Sequence, residues 1–240
     1  MGFLFLAGAF SAGAAFAQEV IDGGEMVFVP GDRPERWTIP GDGILTIGSS
    51  TLGGLIIQDG ATVNASRTTF LGFRAGSTGF LEINGPGSRL DTGNLIVGTE
   101  GVGVLMIDSG AVVQANDLSA IGTLRGSQGT AVVTGTGSRL IFKEQAWVGQ
   151  SGTGSLTIAD GGAVLSELGA RIGNFPGSSG SAVVSGPGSR WDSPLFLAIG
   201  NAKGGDGTLT IQDGGLVTSG FAILGVEPQP TSPDVNGIVA

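Results

Sequence analysis

The sequence predicts an all-β fold, a single-stranded right-handed parallel β-helix (a solenoid) with coils of about 24–27 residues. Two repeats predict it. The stretch Gly-Thr-Gly-Ser-Arg-Leu at 135–140 returns in similar form at 85–90 and 186–191, at offsets of 50 and 51 residues. Self-similarity at a fixed period indicates stacked repeats. At about half that distance an aliphatic residue followed by glycine recurs, as Ile47-Gly48, Leu71-Gly72, Val97-Gly98, Ile121-Gly122, Val148-Gly149, Ile172-Gly173, Ile199-Gly200 and Leu224-Gly225.

Inside each repeat the residues alternate with the period of a β-strand. Two and four residues after a second recurrent glycine the side chain is always aliphatic, as at Leu156 and Ile158, whereas the position between them is mixed, as at Thr157. This alternation is typical of a strand with one buried face. The second recurrent glycines are Gly53, Gly79, Gly103, Gly129, Gly154, Gly180 and Gly207.

The stacking of such units follows from their length. If each coil makes one turn, equivalent residues of successive coils lie about 4.8 Å apart and their strands run parallel. The usual crossover preference makes the helix right-handed. A β-propeller is the main rival, but its blades need about 40–50 residues and antiparallel strands. The shorter repeat therefore favours the β-helix, with glycines at corners where φ is positive or where a Cβ does not fit.

Composition excludes several classes of function. The chain has 47 glycines, a formal net charge of −9, and neither cysteine nor histidine. Disulfide frameworks and thiolate metal sites are thereby excluded, together with the commonest general base. The acidic balance argues against nucleic acid and anionic membranes as partners, because both require clustered Lys and Arg. We expect no cofactor and no metal.

The two ends of the chain differ from the repeats. Residues 1–17 read as a signal peptide, an apolar run ending in Ala15-Phe16-Ala17, with cleavage expected between Ala17 and Gln18. Residues 18–46 are irregular and proline-rich, and we expect an N-terminal cap with Trp37 covering the first coil. Coils with alternating short and long lengths are expected over 47–225, and residues 226–240 read as the truncated start of a further coil. We expect the sequence to be part of a longer exported protein.

The repeat motifs resemble a known family. The segments Gly186-Pro187-Gly188-Ser189-Arg190-Trp191 and 209–217 are similar to the type V secretion and PEP-CTERM-associated repeat of autotransporter passenger domains, and matching segments run from Ile47 to Gly225. The resemblance implies a β-helix and export, and it implies no ligand. Any membrane attachment would come from a C-terminal region that this chain does not contain.

Recurrent aspartates form the first candidate site. Asp59, Asp160 and Asp213 share one turn position, with Asp108 one residue away from it. They suggest carboxylates of a sugar-cleaving site or calcium ligands, but equivalent positions two coils apart are separated by about 10 Å. Calcium needs oxygens within about 2.3–2.6 Å of one ion, and retaining glycosidases need carboxylates about 5–5.5 Å apart. Asp-Gly is a turn former, and we predict that role.

Recurrent arginines form the second candidate site. Arg89, Arg139 and Arg190 occupy one column, each next to a serine of the repeated motif. A guanidinium group matches the carboxylates of acidic sugars. The competing interpretation is a solvent-facing column in which Arg89 and Arg190 pair with Asp91 and Asp192, two residues further along the same strand face. Exposed pairs of this kind contribute at most about 1 kcal/mol.

Together these patterns predict a non-catalytic, surface-exposed passenger or stalk with a structural or adhesive role at the outer membrane or in the secreted fraction. Its partners would be surface or matrix glycans or proteins. A polysaccharide-active β-helix enzyme and an extracellular matrix scaffold are the alternatives. An enzyme requires loops that break the repeat and bring carboxylates together, whereas these repeats differ in length by at most three residues.

Overall fold

A computed structural model describes residues 18–200 and 204–225, and the backbone of 237–239; the expected cleavage site at Ala17 and most of 226–240 lie outside the described residues. Every regular element in these ranges is a β-strand. In chain order they are β1 (Gln18–Ile21), β2 (Glu25–Val29), β3 (Arg36–Thr38), β4 (Ile44–Ile47), β5 (Leu52–Ile57), β6 (Thr62–Leu71), β7 (Thr78–Asn84), β8 (Arg89–Val97), β9 (Val102–Asp108), β10 (Val112–Ala115), β11 (Ser119–Ile121), β12 (Gln128–Thr134), β13 (Arg139–Phe142), β14 (Ala146–Val148), β15 (Thr153–Ala159), β16 (Ala163–Ser166), β17 (Ala170–Ile172), β18 (Ser179–Ser185), β19 (Arg190–Ser193), β20 (Leu197–Ile199), β21 (Asp206–Gln212), β22 (Leu216–Ser219), β23 (Ala222–Leu224) and β24 (Gly237–Val239).

The strands form three faces around one core. Face 1 is a nine-stranded parallel sheet in the order β2-β5-β7-β9-β12-β15-β18-β21-β24. The other sheet has fifteen strands and wraps around a corner, because β6 and β8 pair with strands of both of its halves. One half, face 2, also contains β3, β10, β13, β16, β19 and β22. The other half, face 3, also contains β1, β4, β11, β14, β17, β20 and β23.

Strand register follows the repeat read from the sequence. On face 1, Gly129 of β12 pairs with Gly103 of β9 on one side and with Gly154 of β15 on the other. All of these pairings are parallel, so the predicted parallel β-helix is confirmed as a solenoid of about eight turns. At the far end Gly237 of β24 pairs with Gly207, as expected if this segment opens a further coil.

The predicted inward columns form the core. Leu105, Leu156 and Ile158 are fully buried, and their neighbours in the same columns pack in one hydrophobic cluster along the solenoid. The aliphatic residue before each corner glycine is a third buried column, from Ile47 to Ile199. Leu224, the next residue of this column, is 57% exposed. Thr157 and its equivalents point outward, as the alternation predicts.

Residues 18–46, expected to form an irregular cap, contain regular strands in the described structure. β1, β2 and β3 pair in parallel with β4, β5 and β6, so this stretch forms a coil in register with the next one. Its inward side chains continue the core, and Trp37 is buried against the coil that contains Val63. The offset of 28 residues between Glu25 and Gly53 and the prolines of this coil obscured the repeat in the sequence.

Corner glycines are required where successive coils approach each other closely. Gly122 has φ of +74°, and a Cβ placed on it would lie 2.2 Å from the carbonyl oxygen of Thr153. A Cβ on Gly129 would lie 2.2 Å from the carbonyl oxygen of Val97, although Gly129 does not have positive φ. Both predicted reasons for a corner glycine are therefore found. Gly122 has a conformation that favours glycine, and at both Gly122 and Gly129 a Cβ would overlap the neighbouring coil.

The extra residues of the long coils lie in turns. The corner between faces 3 and 1 spans 72–79 in a long coil and 98–103 in the short coil that follows, and the strands on either side stay in register. The turn between faces 1 and 2 is one residue longer in the long coils as well. Along the edge between faces 1 and 2, shorter and longer turns therefore alternate from coil to coil.

Candidate functional site

The short coils turn from face 1 to face 2 through Asp-Gly or Ser-Gly. Asp59, Ser109, Asp160 and Asp213 have φ between 50° and 56°, and each glycine that follows also has positive φ. The amide of Ala61 donates to the carbonyl of Gln58 at 3.0 Å, and the other three turns close in the same way. Two successive residues with positive φ define a type I′ turn, which favours Asp-Gly. The predicted turn role of these aspartates is confirmed.

The long coils make the same turn through the repeated Gly-x-Gly-Ser motif. The amide of Ser88 donates to the carbonyl of Gly85 at 3.2 Å, and Gly87 has φ of 85°. Proline or threonine precedes a glycine with positive φ in all three copies, which is the arrangement of a type II turn. The motif at 135–140 and its two copies therefore have a conformational origin.

A buried serine joins the two kinds of turn. The amide of Gly60 donates to Ser88 Oγ at 3.0 Å, and the bonds from Gly110 to Ser138 and from Gly161 to Ser189 have the same length. The three serines are at most 1% exposed. Each serine of a long coil thus satisfies a backbone donor of the short coil before it, a function that the sequence motif alone did not reveal.

Face 2 carries the arginine column. Arg36, Arg89, Arg139 and Arg190 occupy equivalent positions in every second coil, and the intervening positions hold Thr62, Val112 and Ala163. Neighbouring arginines are therefore separated by two strand spacings, about 9–10 Å. The sequence predicted the last three of these arginines, and the pairing shows that Arg36 of the first coil belongs with them.

The arginines differ in what holds them. Arg89 donates from both Nε and Nη2 to Asp91 and also contacts Gln114 Oε1 at 3.1 Å, and these bonds to Asp91 raise the pKa of its guanidinium. Arg190 has a longer contact with Asp192, 3.5 Å. Both ion pairs predicted from the sequence are present. Arg139 has no ion-paired or hydrogen-bonded side-chain partner among the described residues.

A cleft of about 250 Å³ lies between Arg139 and Arg190. Its floor is formed by Gly161 and Ala163 of a short coil, and its walls by the type II turns and arginines of the two adjacent long coils. We call this feature the Ala163 cleft; its other lining residues are Gly137, Ser138 and Gly188. The repeated motif predicted its arginines but not its floor, because alanine at 163 carries no signal until the strand register is known.

Face 3 carries a column with little charge, whose members range from fully buried (Thr46, Ala120 and Ala198) to exposed (Val20). Trp147 packs edge-on against Phe175, with ring centroids 6.3 Å apart, and Arg171 lies 4.7 Å above the ring of Phe196. Burial lowers the pKa of Arg171, the column's single charged member within the described chain. The column consists of Val20, Thr46, Phe70, Ile96, Ala120, Trp147, Arg171, Ala198 and Ile223.

Within 18–200 and 204–225, no three acidic side chains lie close enough together to hold a metal ion. The turn aspartates are separate, and Asp160 and Asp213 instead accept hydrogen bonds from Thr134 and Ser185. No helix among the described residues has the length and apolarity to cross a membrane.

These features define the chain as a β-solenoid protein with a regular turn system and an arginine-walled cleft on face 2. Comparison with family models, with curated proteins and with solved structures finds no match to this chain.

Proposed function

We propose that the chain is an exported, surface-exposed stalk of an autotransporter-like protein, with a structural or adhesive role and no catalytic activity. The observation that carries this proposal is the unbroken register of face 1. Its nine strands pair in sequence from β2 to β24, and the described turns between coils never expand into a separate loop or subdomain. A stack of this kind spans about 38 Å at the strand spacing of a sheet.

Nearest-neighbour packing suits a stalk. The contacts of a coil with the coils before and after it bury its aliphatic side chains, so the length of the rod is set by the number of coils. The outward positions present extended flat surfaces rather than one deep pocket, and the described clefts are shallow and lie on the faces. Such surfaces fit adhesion to a large partner better than turnover of a small substrate.

The alternative of a polysaccharide-active enzyme has less support. The candidate carboxylates sit in type I′ turns on every second coil, about 10 Å apart, and their conformation is explained by the turns. A retaining glycosidase needs its carboxylates about 5–5.5 Å apart.

Export can be tested on intact cells. We expect a tagged full-length chain to be cleaved between Ala17 and Gln18 and to be degraded by protease added outside the cell. The control is a variant with Ala15 and Ala17 replaced by leucine, which should keep Met1 because small residues are needed at a cleavage site. Wild-type protein that keeps Met1 and stays protected inside the cell would refute the proposal.

The same material separates adhesion from scaffolding. An adhesin should retain purified cells or glycans when it is immobilised, whereas a matrix scaffold should co-purify with the producer's own extracellular polysaccharide. If the protein neither retains cells or glycans nor co-purifies with polysaccharide, its role is purely structural, which the proposal also includes.

A further inference from the structure

We infer that the Ala163 cleft binds a carboxylate of an acidic polysaccharide, with Arg139 as its main ligand-binding group. The inference deepens the proposed function by naming a ligand class for the adhesive role. Arg139 is exposed, and no described side chain accepts a hydrogen bond from it.

The reason for this freedom lies in the register. Arg89 is held by Asp91, two residues along its own strand, and by Gln114, which pairs with Asp91 on the next coil. The positions equivalent to these two around Arg139 are Ile141 and Leu165. Neither side chain can accept a hydrogen bond. Gln114 also pairs with Ile141 across the other strand boundary, but its side-chain oxygen accepts from Arg89, so the donors of Arg139 are left for solvent or a ligand.

The shape of the cleft follows from the alternation of turns. The type I′ turn at Asp160-Gly161 is one residue shorter than the type II turns on either side, so it is recessed between them. The small side chain of Ala163 leaves the floor of the cleft open, whereas the larger Val112 occupies the equivalent position between Arg89 and Arg139. The combination of a free arginine and an open floor therefore occurs at this coil.

Charge and apolarity together select the ligand. A guanidinium group matches a carboxylate through two parallel hydrogen bonds. Arg190, which keeps a 3.5 Å contact with Asp192, faces the cleft from the other side. Ile141 and Leu165, half-buried on the outer surface next to the arginines, offer contact to the apolar face of a sugar ring. A uronic acid unit of a polysaccharide combines both properties, whereas inorganic phosphate uses only the charge.

The whole chain is acidic, with a formal net charge of −9, so it does not attract polyanions over long distances. Binding should depend on the local arginines and weaken as salt is added, because the cleft is open to solvent. This separates the proposed site from a basic surface that binds any polyanion.

The test is calorimetric titration of the purified full-length chain with oligogalacturonate, with its methyl ester as the neutral ligand of the same ring structure. We expect the acid to bind and the ester to bind at least tenfold more weakly. Arg139→Gln should weaken binding of the acid at least tenfold, equivalent to about 1.4 kcal/mol. Ala163→Val, which copies the residue at 112, should weaken it by a similar factor by filling the floor.

The matched control is Arg89→Gln, which removes an arginine already bonded to Asp91 and Gln114 and should leave binding unchanged. Equal losses in Arg89→Gln and Arg139→Gln would overturn the inference, as would equal binding of acid and ester or no binding of the acid. Phosphate binding as tightly as the oligosaccharide would overturn the sugar assignment. Because purified protein is used, none of these results depends on whether the chain is exported.

Discussion

The Oγ atom of Ser138 accepts a hydrogen bond from the amide of Gly110 at 3.0 Å, and this contact joins the turn of a long coil to the turn of the short coil before it. Ser138 is fully buried, and the bond recurs with the same length at the two other copies of the motif. The conserved spacing of the two turn motifs within this chain therefore has a direct structural cause.

Ser138→Ala should destabilise the turns at 108–111 and 135–138. The substitution leaves the partly buried amide of Gly110 without its acceptor, and an unsatisfied donor costs up to about 1–3 kcal/mol when it is shielded from water. Hydrogen exchange should show faster exchange at these turns. Ser155→Ala, on the outward side of β15, is the control and should change the free energy of unfolding by less than about 0.5 kcal/mol. Equal effects of the two substitutions would contradict the role given to Ser138.

Ile158→Ala should be far more damaging than Arg139→Ala. Ile158 is fully buried between Val133 and Val184 of the adjacent coils, and its truncation leaves a cavity that costs roughly 2–5 kcal/mol. Arg139 is exposed and unpaired, so its loss should cost under about 1 kcal/mol. Hydrogen exchange should locate the damage of Ile158→Ala first in the neighbouring coils, because coils contact only their neighbours. Greater loosening by Arg139→Ala would mean that the inward face is wrongly assigned.

Gly129→Ala should destabilise the solenoid through steric overlap alone. A Cβ at this position would lie 2.2 Å from the carbonyl oxygen of Val97, and the backbone must shift to accept it, at a typical cost of 1–3 kcal/mol or more. Gly126→Ala provides the comparison, since Gly126 has φ of +88° but open space around its Cβ position. That variant should pay only the conformational cost of about 1–2 kcal/mol. Denaturant unfolding of both proteins measures the difference, and a smaller loss for Gly129→Ala would refute the steric argument.

Acid should weaken the link between the first two coils at Asp22. Burial of this carboxylate raises its pKa, but hydrogen bonds from the hydroxyls and amides of Ser50 and Thr51 outweigh that effect and hold the pKa well below its usual range. A lowered folded-state pKa means that the stabilisation is fully present above the unfolded value, about 3.9, and is lost as the pH falls toward the folded value.

Asp22→Asn tests whether stability falls with pH in the expected direction. The variant should be less stable than the wild type at pH 7, and the difference should shrink as the pH falls below about 4, because only the wild type then loses its charge. An NMR titration of the Asp22 carboxylate measures the pKa directly. A midpoint at or above the usual value for aspartate would contradict the prediction.

The sequence predicted the features that depend on periodicity. The buried columns that contain Leu105 and Ile158, the parallel register and the Asp-Gly turns all follow from spacing and residue type within one repeat. Contacts between repeats were harder to predict. The bond from Gly110 to Ser138 depends on how two different turns lie against each other, and serine in a glycine-rich turn reads from sequence as an ordinary turn residue.

Two further features escaped prediction for separate physical reasons. The coil at 18–46 has a longer offset and several prolines, so its inward side chains did not align with the later columns until the pairing of β2 with β5 was known. The Ala163 cleft results from a difference in protrusion between type I′ and type II turns, combined with a small residue opposite two large ones. A single repeat carries neither piece of information.

The serine of a long coil always accepts from the glycine amide of the short coil before it. The structural repeat that gains or loses length as a unit is therefore the pair of coils. Removing one coil would place two long or two short coils side by side, leaving a serine hydroxyl or a glycine amide without its counterpart and breaking the alternation of the arginine column. Removing or duplicating about 50 residues preserves every such contact, since the motif recurs at offsets of 50 and 51 residues. In evolution we therefore expect the length of the solenoid to change by two coils at a time, and each such step adds or removes about 9–10 Å.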